Sequence, residues 1–584
     1  MSEMIVGIDL GTTNSEIAVY RDAHSVVQAD EAGRLILPSV VGLDQDGGLL
    51  VGEAARNQYI LHPERTVRSI KRLMGSDRKV SLDGRDYTPQ DISAMILRRL
   101  KEIAEFRLGQ PVRKAVITVP AFFSDAQRQA TREAGEIAGL EVARIVNEPT
   151  AAALVYEAAQ QQGKRVLVYD LGGGTFDVSV VRIEEGVVEV IASHGNNHLG
   201  GDDFDHKIVE RVLDHLKIEH KADVSGDPRA MARIHRAAET AKKHLSDHPF
   251  ARIEEEYLAE VDGKPVHLAM ELARTDYEEM IAPFIEETLS AIHIALKSAD
   301  LTASQIEEVL LVGGATRTPL IHSRLLEIFD RPARGEVDPD LCVAMGAAIQ
   351  GASIAGENVS AVLVDVTPYT FGTSALGMLG ETFYPYCFVP IIPKNTPIPV
   401  RKSEAFRTVH DNQKEVDVRI YQGENEDALE NIQIGEFRVE DLADAPAGNI
   451  IILDLALDRD GILHVSAKEK ATGLERRITI DKAMSRYDKK DIEEARQHID
   501  RLFGDAVDEA GPAAGAQGSA PATDSKLEAL VAKARAKLDS AVADDRAEIV
   551  DLIEAIEDSR ASSDAAGLAD AVRRLDDLLF YLET

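Results

Sequence analysis

Two distant segments of the chain, IVGIDLGTTNSEIAVYR (5–21) and VLVYDLGGGTFDVSVVR (166–182), follow one pattern. Each begins with an apolar run that ends in Asp-Leu-Gly, continues through a turn rich in glycine and threonine, and closes with a second apolar run. Such self-similarity predicts two halves of the chain built on the same core. Because the runs are short and a turn separates them, each copy predicts a strand–turn–strand hairpin.

The two predicted turns, Gly11-Thr12-Thr13-Asn14 and Gly172-Gly173-Gly174-Thr175, suit the binding of phosphate. Glycine lets backbone N–H groups approach an anion without a Cβ in the way, and threonine hydroxyls add donors. Asp9 and Asp170 stand at the strand ends, where two carboxylates would repel a phosphate unless a hard cation such as Mg²⁺ lay between them. One such turn is usually only a hairpin connection, but two copies in matching contexts favour a clamp around a triphosphate.

Other nucleotide motifs do not occur in the sequence. There is no GxxxxGK[ST] loop, no HRD or DFG set and no HExxH spacing, and a dinucleotide fingerprint would need glycine where Asp177 stands. A third glycine-rich turn, LLVGGATRTP (310–319), follows an apolar run. It is either a simple strand–helix turn or a wall for a nucleoside, with Gly313 and Gly314 allowing close approach and Arg317 stacking on the base.

The pattern of the chain changes along its length. Residues 1–357 alternate strand and helix patterns and predict α/β layers, whereas residues 366–484 contain short alternating segments and predict a β-domain. The connector 358–365 contains the apolar AVLVD (361–365), which we expect to dock rather than to lie in solvent. In the last part, 485–584, the segment KKDIEEARQHIDRLFG predicts an amphipathic helix, 504–524 a flexible tether, and 525–582 three short helices.

Net charge, cysteine count and the length of apolar runs exclude several further classes of protein. The net charge of −35 disfavours nucleic acid, which needs a basic surface for counterion release. The two cysteines, Cys342 and Cys387, are too few for a disulfide framework or a zinc site and fit a reducing cytosol. No apolar run approaches the roughly 18 residues of a membrane span, and the start MSEMIVGIDLG lacks the pattern of a signal peptide. We expect a cytoplasmic protein.

A family resemblance joins these features. In order and spacing, IDLGTTNS, VPAFFSDAQRQATREAG, RIVNEPTAAAL, YDLGGGTFDVS, HLGGDDFD, LLVGGATRTP and GILHVSAKEK closely resemble the DnaK-type seventy-kilodalton heat-shock chaperones over residues 4–482. The stretches SDRKVSLDGRDYTP and FYPYCFVPIIPKNTPIP, with the short tail, are most similar to the HscC branch. The resemblance implies a multidomain fold: a duplicated actin-like α/β ATPase domain, a β-sandwich peptide-binding domain and a small α-helical lid.

The resemblance also implies ATP hydrolysis by in-line attack of water, with Mg²⁺ as cofactor and K⁺ as a further candidate. Asp9, Glu148 and Asp170 resemble the carboxylates that hold Mg²⁺ through water, and Thr175 resembles a phosphate-contacting catalytic residue. Lys71, which alone would be interpreted as a solvated helix lysine, resembles the lysine that stabilises the γ-phosphate and positions the attacking water. The other implied nucleotide contacts are Gly11, Thr12, Thr13, Asn14, Gly172, Gly173, Gly174, Gly200, Gly201, Asp202, Glu239, Lys242, Ser246, Gly313, Gly314, Arg317 and Asp340.

The β-domain is implied to hold an extended apolar peptide. Val416, Val418 and Ile420 alternate with polar residues and share one face of a strand, which a buried core would also produce. The residues that match the family's peptide groove are Phe406, Val416, Val418 and Ile451, and those that match the arch over the peptide are Leu376 and Val409.

Coupling between the two domains is implied by a further set of residues. Pro120 and Arg128 match the family's relay from nucleotide to linker, and Arg144, Asn147 and Asp365 match its contact surface for a J-domain co-chaperone. AVLVD, which contains Leu363, is the expected signal: docked with ATP bound, released after hydrolysis. Such coupling must be reciprocal between nucleotide and peptide.

The sequence thus predicts an ATP-driven chaperone of the bacterial cytoplasm. Its expected partners are unfolded client peptides, a J-domain co-chaperone and, as a further candidate, a nucleotide exchange factor, without nucleic acid or membrane. Two alternatives use the same duplicated fold, a sugar or small-acid kinase and an actin-like filament ATPase. Both leave residues 366–584 unexplained.

Overall fold

A computed structural model describes residues 4–157, 163–184, 186–335, 337–357, 359, 362–479, 487, 489–504, 552–553, 556 and 574–575. The chain forms two compact units, Met1–Val507 and Asp508–Thr584. Of the second unit, Leu552, Ile553, Ile556 and Leu575 are described as buried. The predicted tether beyond residue 504, and the remainder of the three short helices, lie outside the described residues.

The first predicted hairpin is at the centre of a mixed sheet. Its strands are β1 (Ile5–Leu10) and β2 (Asn14–Arg21). The other strands of this part of the chain are β3 (His24–Val27), β4 (Leu37–Pro38), β5 (Val40–Leu43), β6 (Leu49–Val51), β7 (Thr66–Arg68), β8 (Val80–Leu82), β9 (Arg85–Tyr87), β10 (Lys114–Val119) and β11 (Glu141–Asn147). The sheet order is β11-β10-β1-β2-β3, with β4 beside β2, while β6-β5-β7 and β8-β9 form two smaller sheets.

The second predicted hairpin has the same surroundings. Its strands are β12 (Lys164–Leu171) and β13 (Phe176–Glu184). They are followed by β14 (Val187–Asn196), β15 (Phe250–Val261), β16 (Lys264–Ala273), β17 (Glu308–Val312) and β18 (Val362–Val366). β12 pairs antiparallel with β13 and parallel with β17, as β1 does with β2 and β10. The repeated pairing is the arrangement that the internal repeat predicts.

Helices cover the sheets and separate the two halves. Their bounds are α1 (Glu53–Gln58), α2 (Pro89–Leu108), α3 (Asp125–Ile137), α4 (Glu148–Glu157), α5 (Gly201–His220), α6 (Pro228–Asp247), α7 (Arg274–Ser298), α8 (Pro319–Phe329), α9 (Cys342–Ile354) and α10 (Lys489–Leu502). α9 lies so close to β1 that a Cβ on Gly7 would be 2.0 Å from the Ala348 nitrogen, which only glycine allows. Among the described helices, none has the length and apolar character to cross a membrane.

The β-domain is a sandwich of two four-stranded sheets. Its strands are β19 (Phe371–Leu379), β20 (Thr382–Ile392), β22 (Val400–Arg407), β23 (Val416–Gln422), β24 (Ile432–Val439), β25 (Ile450–Leu457), β26 (Leu463–Glu469) and β27 (Glu475–Thr479). The short strand β21 (Pro397–Ile398), between β20 and β22, belongs to the second sheet of the first part of the chain. The orders are β20-β19-β23-β24 and β22-β25-β26-β27. The apolar core between them includes Phe371, Ile420, Leu453, Leu455 and Val465. Alternation along β23 and β25 builds this core because every second side chain points inward.

The connector and the helix that follows the sandwich both lie against the first part of the chain. β18, which contains most of AVLVD, pairs in parallel with β14, with Leu363 opposite Val188. It also pairs antiparallel with β21. On α10, Ile499 is buried in the same apolar cluster as residues of α2 and α3. The apolar connector is therefore a strand of the second sheet, between β14 and the short edge strand β21, an outcome more ordered than the docking expected from the sequence.

Candidate functional site

The two glycine-rich turns touch each other. A Cβ placed on Gly173 would lie 1.8 Å from the Thr13 Oγ1, and one on Gly174 would lie 2.7 Å from the Thr12 Cγ2. Glycine is therefore required where the turns meet. A Cβ on Gly11 would in turn lie 1.9 Å from the Asn14 carbonyl oxygen, so the first turn is itself tightly closed.

A cavity of about 70 Å³ opens beneath the turns, and the predicted carboxylates line it. Asp9 accepts a hydrogen bond of 2.9 Å from the Thr118 hydroxyl. Asp170 is buried, and its Oδ2 has no hydrogen-bond partner in the described chain. Lys71 is only 3% exposed and donates to the Glu148 Oε1 at 2.5 Å. The lysine is therefore a buried cation in the cavity rather than a solvated one.

Burial changes the acidity of these carboxyl groups. It raises the pKa of Asp9 to about 7, helped by the charge of Glu148 and opposed by that of Lys71. Burial also raises the pKa of Asp170 well above its usual range, with Glu148 adding to the effect. A cation would relieve both shifts, and the unpartnered Asp170 oxygen offers it a ligand. Within the described residues no group of three or more acidic, His or Cys side chains converges closely enough to bind a metal directly.

The third glycine-rich turn forms the opposite wall of this cavity, which Gly313, Gly314 and Asp340 line. Gly313 has a φ of 81°, and a Cβ there would lie 2.4 Å from the Leu171 carbonyl oxygen. Arg317 donates to the Asp340 Oδ2 at 2.8 Å and to the Asp338 Oδ1 at 2.9 Å. In this structure the arginine fixes Asp340 and does not line the cavity, so its predicted stacking on a base stays a prediction.

Helix α6 borders a second, larger cavity of about 280 Å³. Glu239 lines it together with Thr12, Thr13 and Asn14 of the first turn. Lys242 donates to the Gly201 carbonyl at 2.9 Å. Ser246, almost two turns beyond Glu239, lines neither cavity, and its predicted contact with adenine stays a prediction.

The start of α5 is tied to both turns. The Gly201 and Asp202 N–H groups donate to the Gly172 and Gly173 carbonyls at 2.9 and 2.8 Å, and a Cβ on Gly200 would lie 2.5 Å from Gly173. Asp202 accepts from the Ser69 hydroxyl at 2.6 Å and from the Thr13 hydroxyl at 3.4 Å. The carboxylate thus connects the two halves of the chain across the mouth of the site.

Several residues in the site were missed from the sequence. Glu16 lines the smaller cavity and is 2% exposed, and burial together with the Asp9 charge raises its pKa well above normal. Thr118 and Asp177 hold the strand ends. The signal for Glu16 was available: it follows Ser15 within an otherwise apolar strand, where a carboxylate needs a reason to be buried.

The predicted coupling residues form one connected group. Arg128 donates to the Asn147 Oδ1 at 2.6 Å, and the Asn147 amide donates to the Asp365 Oδ2 at 2.6 Å. Arg128 also donates to the Ala121 carbonyl at 3.1 Å, and Pro120 precedes that residue. Leu363 packs on the core between the sheets. Arg144, partly buried, is held near Asp365, whose charge opposes the lowering of the Arg144 pKa by burial.

The predicted peptide-contacting residues differ in exposure. Val418 and Ile451 are buried in the sandwich core, whereas Phe406 and Val416 are half-buried at its edge. Phe406 and Ile451 are direct partners across β22 and β25. The two predicted arch residues, Leu376 and Val409, are 56% and 52% exposed. In the conformation described, Val418 thus acts as a core residue, the alternative that the alternation of Val416, Val418 and Ile420 left open, and Ile451 is buried in the same core.

Comparison with known proteins identifies the family. A model of the Hsp70 protein family matches residues 5–81 and 77–581. Proteins named "Chaperone protein DnaK" from Thermotoga petrophila and Thermotoga maritima are 49% identical over 487 residues, which are 82% of this chain and 80% of each relative. The protein of that name from Thermosipho africanus is 48% identical over 486 residues, with the same shares covered.

The chain therefore belongs to the Hsp70 family, with a DnaK-type sequence. It is an ATP-dependent chaperone, and its enzymatic activity is the hydrolysis of ATP. The family implies a nucleotide-binding actin-like domain, a substrate-binding β-sandwich and a helical lid, nucleotide with Mg²⁺, and client polypeptides and co-chaperones as general partners. The alternatives of a small-molecule kinase and a filament protein are excluded. The HscC branch stays a prediction, since the relatives named here are called DnaK.

Proposed function

We propose that ATP binds with its phosphates between the two glycine-rich turns and its nucleoside toward Gly313 and Gly314. One observation carries this assignment: both turns, Lys71 and the buried carboxylates border one cavity. The turns supply donors to the phosphates from both halves of the chain. Glu239, which lines the larger cavity, and Lys242, which donates to the Gly201 carbonyl, are the residues proposed to contact the ribose.

Asp9, Glu148 and Asp170 would hold Mg²⁺ through water. When bound, Mg²⁺ supplies positive charge that offsets the phosphates. Lys71 adds a second charge at a fixed point, since Glu148 holds its ammonium group and Phe123 lies 5.6 Å beneath it. A preorganised cation stabilises charge that develops during phosphoryl transfer. The Thr175 hydroxyl orients a phosphate or the attacking water, and K⁺ is a further candidate cofactor.

We further propose that the β-sandwich holds an extended client segment and that the paired strand β18 carries the signal between the two sites. The proposed domains are 1–357 for nucleotide, 358–365 for the linker, 366–484 for peptide and 485–584 for the lid, with a tether at 504–524. Arg144, Asn147 and Asp365 are proposed to meet a J-domain co-chaperone, and a nucleotide exchange factor is a further candidate partner. The proposed location is the bacterial cytoplasm.

The test measures release of a fluorescent apolar peptide from the full chain after ATP is added. We expect ATP to accelerate release, and Asp365→Asn to remove the acceleration while hydrolysis continues. Asn147 and Thr150 both donate to the Asp365 Oδ2 and the Val366 N–H donates to its Oδ1, so an asparagine, with one acceptor oxygen, loses one side of this arrangement. Asp44→Asn, in an exposed turn of the first lobe, is the control. If the unmodified chain releases the peptide at the same rate with and without ATP, the proposed coupling is refuted.

A further inference from the structure

The larger cavity, beside the first glycine-rich turn, has a positively charged lining in a chain whose net charge is −35. Its volume of about 280 Å³ is close to the lower end of the roughly 300–1,000 Å³ that small-ligand sites occupy. The charged side chains that line it are Arg56, Arg68, Arg236, Lys243, Glu53 and Glu239. Because the excess of cations runs against the charge of the whole chain, it points to an anionic ligand.

Ion pairs compensate both acidic groups of this cavity but not all of its cations. The pairs are Arg56 with Glu53 at 2.9 Å and Lys243 with Glu239 at 2.6 Å. Arg68 and Arg236 form no ion pair with any residue that the structure describes. Two guanidinium groups therefore remain for a ligand, and none of the nucleotide contacts assigned above uses them.

The two arginines enter the cavity from different parts of the chain. Arg68, on β7, is half-buried, and its guanidinium carbon lies 5.5 Å from the centroid of the Tyr59 ring. Burial by itself lowers the pKa of Arg68, but the charge of Asp202, which does not line the cavity, outweighs it. Arg236 is exposed on α6, three residues before Glu239. A guanidinium oriented by an aromatic ring keeps its N–H edge for paired hydrogen bonds to a phosphate.

The proposed ribose position adjoins this cavity. Glu239, which is proposed to contact the ribose, lines the larger cavity, and Thr12 and Thr13 line both cavities. In nucleotide sites generally, a carboxylate accepts hydrogen bonds from a ribose hydroxyl, whereas a nearby arginine accommodates a phosphate on that hydroxyl. Both kinds of group are present here, Glu239 for the hydroxyls and the two unpaired arginines for a phosphate.

We propose that the larger cavity is a subsite for an additional phosphate on the ribose of the bound nucleotide, at the 2′- or 3′-hydroxyl, and that Arg68 and Arg236 bind this phosphate. The inference rests on the proposed nucleotide site and extends its ligand class to adenine nucleotides that are phosphorylated on the ribose as well as at the 5′ position. Such a nucleotide occupies the site in place of ATP or ADP, so it competes with the two nucleotides that drive the chaperone.

The experiment compares the affinity of the full chain for ADP with that for ADP carrying a further phosphate on its 3′- or its 2′-hydroxyl, by calorimetric titration with Mg²⁺. We expect one of the two isomers to bind about tenfold more tightly than ADP, because its phosphate makes charge-assisted hydrogen bonds to two arginines. Arg68→Gln and Arg236→Gln should each reduce this gain, and the double variant should abolish it. The control is Arg229→Gln, which removes an exposed arginine of α6 that lines neither cavity and should leave the gain unchanged.

The gain is calculated within each variant against its own ADP affinity, and circular dichroism verifies that each variant is folded. Equal affinity of the unmodified chain for ADP and for both isomers overturns the subsite. A gain that the double variant retains overturns it as well, as does a gain that Arg229→Gln lowers as much as Arg236→Gln does. A chain that binds no ADP refutes the proposed nucleotide site, whereas a chain that binds ADP and shows no gain refutes only this inference.

Discussion

One ion pair holds the β-sandwich against the first part of the chain, and its loss has an effect that can be worked out. Asp460, in the turn between β25 and β26, accepts from the Arg132 guanidinium of α3 at 2.5 Å and from the Ile145 N–H at 3.2 Å. Both charged side chains are largely buried, with 17% and 20% exposed. Asp460→Asn removes the charge and keeps the size of the side chain.

The expected loss follows from these contacts. A hydrogen bond to a charged group contributes about 1.5–3 kcal/mol, and an exposed ion pair contributes much less. Because a fifth of each side chain is exposed and the asparagine can still accept one bond, we take about 2 kcal/mol for the docked conformation. At 1.4 kcal/mol per factor of ten, the equilibrium between docked and undocked sandwich shifts roughly thirtyfold toward undocked.

Hydrogen exchange with ATP bound measures this shift at the backbone amides of Val362, Leu363 and Val364, the part of β18 that is paired with β14. We expect exchange there to become about thirtyfold faster in Asp460→Asn. The control is Asp454→Asn. It weakens an ion pair with Arg401 whose two partners both belong to the sandwich, on the neighbouring strands β25 and β22. Unchanged exchange at β18 in Asp460→Asn, or an equal increase in the control, would show that this contact does not govern docking.

Three further changes test the site and the docked interface. Gly173→Ala puts a methyl group against the Thr13 side chain, where overpacking costs about 1–3 kcal/mol, and should weaken ATP binding about tenfold in a calorimetric titration without unfolding the chain. Lys71→Met removes the buried cation and should slow single-turnover hydrolysis roughly a hundredfold while ATP still binds; turnover near the original rate would remove this lysine from the mechanism. Lys394 donates to the His194 Nδ1 at 3.3 Å, and burial and the lysine charge lower the pKa of His194 from 6.5 to about 4. The pKa of His194 is lower in the docked form than in the undocked or unfolded form, so the undocked form binds a proton more readily. Docking should therefore weaken as the pH falls from 6.5 toward 4. In His194→Gln, hydrogen exchange at β18 should depend less on pH over that range.

Much of the fold could be predicted from the sequence because its signals are local. The hairpins at β1–β2 and β12–β13 follow from short apolar runs around glycine turns. Helices α2 and α6 follow from apolar residues at helical spacing, and α2 begins at a capping box on Thr88 that the chain encodes within four residues.

The two glycine-rich turns of the site could be predicted from the sequence, but the burial and charge environment of its ionisable side chains could not. Nothing local to Lys71 distinguishes it from a solvated lysine, because Glu148 and Phe123, which surround it, come from distant parts of the chain. Glu16 differs from Lys71, because a carboxylate in a buried strand is a local signal, although its position opposite Asp9 becomes evident only from the strand register. AVLVD suggested docking by its composition, but its pairing with β14 depends on the edge that the second sheet leaves open.

The loop between β10 and α3 explains how a change at the nucleotide could reach the connector. Asp177, close to the phosphate turn, accepts from the Ala121 and Phe122 N–H groups at 3.1 and 3.0 Å. The carbonyls of the same two residues accept from the other side, Ala121 from Arg128 at 3.1 Å and Phe122 from the Tyr369 hydroxyl at 2.9 Å. Ala121 and Phe122 are therefore each bonded to Asp177 through the N–H group and to Arg128 or Tyr369 through the carbonyl.

A movement of the second phosphate turn would consequently pull on the loop through Asp177, and the loop could shift only by lengthening its bonds to Arg128 and Tyr369. The reverse also holds, since undocking of the connector removes the Tyr369 bond and frees the loop from one side. Coupling free energies are reciprocal, so a peptide that favours the undocked sandwich must change nucleotide affinity by the same factor as nucleotide changes peptide affinity. Tyr369→Phe, which deletes this bond alone, should reduce this shared factor. An unchanged factor, with a changed affinity at one site only, would mean that the loop contributes to binding at that site and not to the coupling.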